Sequence, residues 1–151
     1  MARCARATGE VSLDPEAAVA LWRDLARWPS FVEGLARVAS STPEWPAVGA
    51  RVVWESGPGG RGKVTEKVTE SAAHAFATRI VEERLFGTQA FRAEPVGDGS
   101  RVEVSLDYQL TAENPLRGLT DLLFIRRALR DSLTRTLRRY AVEAEEDAGL
   151  R

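Results

Sequence analysis

Hydrophobic positions along the chain recur first with a helical period, then with a period of two, then with a helical period again. In "SLDPEAAVALWRDLARW" Ala18, Trp22 and Leu25 fall at helical spacing. The segment opens on a helix-start signal, with Asp14 as cap, Pro15 at the first helical position and Glu16 at the positive end of the dipole. The residue before Pro29 is pushed out of the α region, so the helix is expected to end near Arg27. Ser30 can then cap a second short helix, "FVEGL". This predicts a helix–kink–helix corner, with the rings of Trp28 and Phe31 at the bend.

After the corner the pattern alternates. "GARVVWES" reads as a strand and is followed by the turn "GPGGRG". "KVTEKVTE" places Val64, Glu66 and Val68 on one face; "HAFATRIVEE" and "LFGTQAFRAEP" follow, the latter running to "VGDGS" with its Asp-Gly hairpin signal. In "RVEVSLDYQL" the residues Val102, Val104, Leu106, Tyr108 and Leu110 face one way, and Arg101, Glu103, Ser105, Asp107 and Gln109 the other. Such alternation predicts an antiparallel sheet with one wet and one covered face. "RVASSTPEWP" holds a short strand, and the residues up to Ser12 pair as a further one.

From Leu116 to about Glu146 the helical period returns without proline, Gly118 alone interrupting the start. At 100° per residue Leu119, Leu122, Leu129, Leu133, Leu137, Tyr140 and Ala144 form one apolar stripe. Phe124 points away from it, towards a loop or a partner. Arg126 lies near the stripe's centre, where an unpaired arginine is costly. It can pair with Glu66 or the Tyr108 hydroxyl, snorkel to a cavity mouth, or offer its planar fork to a ligand oxygen.

The predicted fold class is therefore α+β: a curved antiparallel sheet of about six to seven strands wrapped around one long C-terminal helix, with two short helices after the first strand. One helix with a single stripe covers only part of such a sheet. A cavity in the 300–1,000 Å³ class is expected between the layers. Gly87 falls where a strand side chain would otherwise fill that space.

A length of 151 residues gives one domain, 1–151, and the formal charge of −1 gives no pull towards nucleic acid. No apolar run is long enough for a membrane span, and the N-terminus has arginines but no apolar signal core, so the cytoplasm is the expected compartment. A lone Cys4 forms no internal disulfide. With His74 it gives no metal-ligand spacing, so neither metal nor cofactor is expected. No nucleophile elbow, phosphate loop or dinucleotide fingerprint is present. The cavity candidates are aromatic and polar. Trp28, Phe31, Trp54, Phe76, Phe91 and Tyr108 are each either core filler or ligand contact. Tyr108 carries a hydroxyl that wants a partner. Glu66, between two valines, either reaches water at a sheet edge or anchors a ligand. Arginines on the terminal helix read first as a solvated face.

Several local motifs also resemble the START-like, or SRPBCC, superfamily, and within it the polyketide cyclase/dehydrase and lipid transport group. The opening pattern appears as Asp14-Pro15, Val19, Leu21-Trp22, Leu25 and Trp28-Pro29-Ser30-Phe31. A later segment appears as Trp45 and Val48-Gly49, a strand as Val64-Thr65-Glu66, and a hairpin as Gly97 to Val102. The resemblance implies a helix-grip fold with a deep, mostly apolar cavity, in a family that binds lipids, quinones, sterols or polyketides and in part catalyses aromatic ring closure. The leading expectation is binding or transport of a small hydrophobic ligand, with Arg126, Tyr108, Glu66, Trp28, Phe31, Trp54, Phe76 and Phe91 as its contacts. The alternative is a polyketide cyclase/aromatase-like enzyme using cavity Arg, Tyr or Glu as acid–base groups. A third reading is an interaction module, with a collapsed cavity and the basic helix as contact surface. A homodimer is compatible with all three.

Overall fold

The computed structural model describes residues 3–111 and 119–150, with side chains of the terminal helix described from Leu123 onward. Seven strands form one antiparallel sheet: β1 (Arg3–Val11), β2 (Leu35–Ser41), β3 (Arg51–Ser56), β4 (Lys63–Ser71), β5 (Ala75–Val81), β6 (Leu85–Val96) and β7 (Gly99–Leu110). Their spatial order is β1-β7-β6-β5-β4-β3-β2. The first strand pairs with the last, from Arg3 opposite Tyr108 to Val11 opposite Ser100, so the chain must cross to the far edge before β2. Two helices make that crossing, α1 (Pro15–Trp22) and α2 (Trp28–Phe31), and a third, α3 (Leu119–Gly149), ends the chain. This is the helix-grip arrangement.

Alternation sets the covered face. Along β7, Val102, Val104, Leu106 and Tyr108 are buried while Arg101, Asp107 and Gln109 are exposed. On α3, Leu133, Leu137, Tyr140 and Ala144 are buried along the expected stripe. The expected helix start from Leu116, including Gly118, and the side chains of Leu119 and Leu122, lie outside the described residues. Towards its N-terminus the described helix packs against the core through Ile125 and Leu129. Leu123 and Phe124 are exposed there, and Arg126 with them.

The corner forms as a break, but the break falls earlier than Pro29. Asp14 caps α1 by accepting a hydrogen bond from the Ala17 amide at 2.9 Å, and α1 ends at Trp22. A 3₁₀ turn over Leu25–Arg27 follows, and Asp24 Oδ1 accepts from the Ala26 amide at 3.1 Å. Pro29 then lies in the first turn of α2, where a missing N–H costs nothing. Ser30 is inside that helix rather than its cap. The corner is tied to α3 by Tyr140, whose hydroxyl donates to the Ala18 carbonyl at 2.6 Å. Arg27 adds ion pairs to Glu143 at 2.5 Å and Asp147 at 3.1 Å.

Gly87 is required for a different reason from the one expected. A Cβ there would lie 1.9 Å from the Asp107 carbonyl oxygen and 2.8 Å from the Tyr108 Cα. The glycine thus admits the backbone of β7 and leaves no space for a ligand. Gly87→Ala should force β6 and β7 apart and destabilise the protein by more than the ~1–3 kcal/mol typical of overpacking. Chemical denaturation checks this; a loss under ~1 kcal/mol would mean that the pair tolerates a side chain.

Candidate functional site

The covered faces of the central strands carry a band of polar groups. Glu66 on β4 stands opposite Val52 of β3 and Ile80 of β5; Trp54 and Thr78 lie on its diagonals. Thr78 stands opposite Gln89 on β6, and Tyr108 of β7 stands opposite Gly87, two residues along from Gln89. Strand alternation alone turns these side chains inward. β4 lies inside the sheet, so Glu66 is buried at 3% exposure and does not reach water at an edge.

Its carboxylate accepts from Trp54 Nε1 at 2.8 Å through Oε2 and from Thr78 Oγ1 at 2.7 Å through Oε1. Burial pushes the Glu66 carboxyl above its ordinary range, although both hydrogen bonds and the nearby Arg61 charge favour the ionised form. Arg61 belongs to the turn between β3 and β4 and folds back over the sheet end. Its Nε donates to Glu82, its guanidinium lies 5.3 Å from the Trp54 ring centroid, and its buried Nη2 has no partner among the described residues.

These groups meet at a cavity between sheet and α3. Trp22, Trp28, Trp54, Arg61, Glu66 and Gln89 line it, and Leu133 and Thr136 of α3 cover it. Its volume is about 20 Å³, room for about one water. The expectation of several hundred cubic ångströms is therefore not met in this conformation. The physical reason is aromatic filling. Trp22 stacks on Phe91 at 4.5 Å between centroids and contacts Phe31 at 5.6 Å and Tyr140 at 5.7 Å. A second group joins Trp28 to Trp45 at 5.7 Å and Trp45 to Phe76 at 5.5 Å. A shallower groove of about 250 Å³ lies outside this core, between β1 and α3, bordered by Gly9, Val102, Leu137 and Arg138.

The sequence-derived candidates therefore separate. Glu66, Trp54 and Trp28 come together at the cavity, whereas Phe31, Phe76 and Phe91 are buried in the two aromatic groups. Tyr108 is buried, with a hydroxyl that has no hydrogen-bond partner among the described residues. Burial raises its pKa, with the Arg3 and Arg126 charges opposing. Arg126 corrects the helical-wheel placement: it is exposed, while Ile125 and Leu129 on the same stretch of α3 pack against the core. The hydrogen-bonding partners of Glu66 are Trp54 and Thr78, and its cationic neighbour is Arg61, not Arg126.

Arg61, Thr78, Gln89 and Thr136 were not among the candidates. Thr78 and Gln89 share the inward parity of Phe76, Ile80 and Phe91, and that parity was a readable signal. Nothing periodic marks Arg61 in its glycine-rich turn. His74 is exposed in a bend. Among the described residues no cluster of His, Cys, Asp or Glu could hold a metal ion, and no helix is long and apolar enough to cross a membrane.

No curated protein matches the chain. Solved structures do match in fold. The di-domain aromatase/cyclase StfQ of the steffimycin biosynthetic pathway superposes with a TM-score of 0.79 at 14% identity, over 99% of this chain and 52% of that one. The chain thus spans about half the length of that protein. The Zhui aromatase/cyclase from a Streptomyces species gives 0.71 at 15% identity, covering 100% and 97% of the two chains. A START superfamily protein from Mycobacterium smegmatis gives 0.69 at 15% identity, covering 93% and 97%. The family model for polyketide cyclase/dehydrase and lipid transport matches residues 3–145. With that match over nearly its whole length, the chain belongs to the polyketide cyclase/dehydrase and lipid transport family.

Proposed function

We propose that the protein binds a small, largely apolar molecule between sheet and helix, as its carrier or sensor. The observation that supports this most is the polar end of an otherwise aromatic interior. Burying a carboxylate and a guanidinium is expensive, and a core that only had to be stable would gain from apolar residues there. Here Glu66 and Arg61 stand at one cavity, beneath tryptophans that offer flat apolar surface. Such a mix of apolar walls and few polar groups is what small-molecule sites use. The closed volume of about 20 Å³ means that ligand uptake requires the lining to move.

A second reading has its own support. Burial favours the protonated form of Glu66 beside the Arg61 cation, an acid next to a group that can polarise a carbonyl, as a cyclase/aromatase-like enzyme would need. Likeness to two aromatase/cyclases is compatible with it.

An environment-sensitive dye such as 8-anilinonaphthalene-1-sulfonate should bind the folded protein and be displaced by fatty acids, quinones or polycyclic aromatics. Native mass spectrometry should show a lipophilic molecule co-purifying. If no such ligand displaces the dye at high micromolar concentration and none co-purifies, the interaction-module reading replaces this one. A co-purifying molecule that is chemically converted on incubation would favour the enzyme.

A further inference from the structure

Arg61 is the one cavity-lining residue, among those described, that a strand-to-strand turn supplies; most others stand on strands or helices. The turn is closed on itself. The Ser56 amide donates to the Gly62 carbonyl at 2.9 Å, and the Gly62 amide to Ser56 Oγ at 2.8 Å. Gly62 has φ +74°, a conformation that favours glycine, so the residue after Arg61 is fixed by turn geometry. The side chain that this turn sends inward is held on two sides only. Glu82, itself 5% exposed, takes Nε, and the Trp54 ring lies under the guanidinium. Nη2 is buried without a partner among the described residues. A donor on a charged group, buried and unpaired, is costly, and an oxygen placed against it recovers that cost.

Charge narrows which oxygen. Glu82 already pairs with Arg61 and Glu33 with Arg135, and the Glu66 carboxyl lines the same cavity, so the charge of Arg61 is met before any ligand enters. A second anion in this space would meet like charge. A neutral acceptor would not.

We propose that Arg61 is the specificity-determining residue of the cavity, donating through Nη2 to a neutral carbonyl-type oxygen on an otherwise apolar ring compound. Fatty carboxylates and plain hydrocarbons are then the disfavoured ligands. This rests on the ligand-binding reading above and adds to it a chemical class. Because the closed cavity is too small for a ring, entry requires the lining to move.

Three probes sharing one skeleton test this by equilibrium dialysis against the full chain at neutral pH: 1-tetralone, tetralin and 1,2,3,4-tetrahydro-1-naphthoic acid. The ketone should bind about tenfold more tightly than the other two, the scale of a hydrogen bond to a charged group. Arg61→Met keeps most of the apolar stem and removes the donors. It should remove that preference while tetralin binding changes by less than roughly twofold. Arg61→Lys keeps the charge without the planar fork and should lose most of the preference. The proposal is overturned if the wild type prefers the acid or shows no preference, if Arg61→Met weakens ketone and hydrocarbon alike, or if Arg61→Lys keeps the full preference. Should Arg61→Met not fold, the Lys variant decides. Binding of tetralin and tetralone with equal affinity would remove this inference alone. Binding of none of the three would remove the ligand-binding reading with it.

Discussion

Replacing Trp22 by alanine is expected to cost about 3–5 kcal/mol of stability, the range for removing a large buried ring. The side chain is 5% exposed and is the hub of one aromatic group, stacked on Phe91 with an interplanar angle of 9° and in contact with Phe31 and Tyr140. It comes from α1, Phe91 from β6, Phe31 from α2 and Tyr140 from α3, so one ring joins four elements. Against a typical total of ~5–15 kcal/mol this is a large share. The backbone hydrogen bond at the site survives, because the indole of Trp28 donates to the main-chain carbonyl of residue 22 at 2.8 Å. The loss is therefore one of packing. Urea unfolding should show a lower midpoint with an unchanged slope. The void also adjoins the existing cavity, so naphthalene should restore part of the lost stability by binding only the folded state. A loss below ~1 kcal/mol, or no response to naphthalene, would mean that the aromatic group does not close the interior.

The seven strands and their covered face were legible because alternation is a local property of each segment. Val102 to Tyr108 show it most plainly. The order of elements was legible too, since the switch between periods marks where helices give way to strands. Glu66 could be picked out because a carboxylate between Val64 and Val68 breaks a pattern that is otherwise apolar. Four things were not legible. The depth of β4 within the sheet depends on strand order, a long-range property, and it decides that Glu66 is buried. Which side of the early turns of α3 meets the core decides that Ile125 and Leu129 pack inward and Arg126 is exposed, although the helical wheel puts Arg126 on the stripe. The return of Arg61 over Trp54 depends on the shape of a turn with four glycines among residues 57–62, which no periodicity describes. The size of the cavity was unreadable for a related reason. Whether Trp22, Phe31 and Phe91 line a space or fill it depends on their mutual packing, and here they stack on one another.

The second large effect belongs to Glu66. Glu66→Ala should lose about 3–5 kcal/mol, because it leaves the Trp54 indole N–H and the Thr78 hydroxyl without their acceptor and removes a carboxyl group near Arg61. Glu66→Gln should lose less. Its amide oxygen can accept from Trp54 Nε1, and its amide nitrogen can donate to Thr78 Oγ1. Comparing wild type with Glu66→Gln as a function of pH then isolates the charge. Burial holds the native carboxyl above its ordinary value of 4.5, so the folded chain binds this proton more tightly than the unfolded chain. The stability that this proton contributes is complete at pH values below 4.5 and is lost as pH rises through the native value. Wild type should therefore have its greatest advantage over Glu66→Gln at low pH, and that advantage should shrink as pH rises from 4.5. Other acid-sensitive contacts, such as Arg27 with Glu143 and Asp147, are common to both proteins and cancel in the difference. Denaturant midpoints of the two proteins across this pH range make the comparison. An advantage that grew with pH would mean that pairing with Arg61 outweighs desolvation. Glu66 would then be a permanent anion and could not serve as a proton donor to any ligand held beside it.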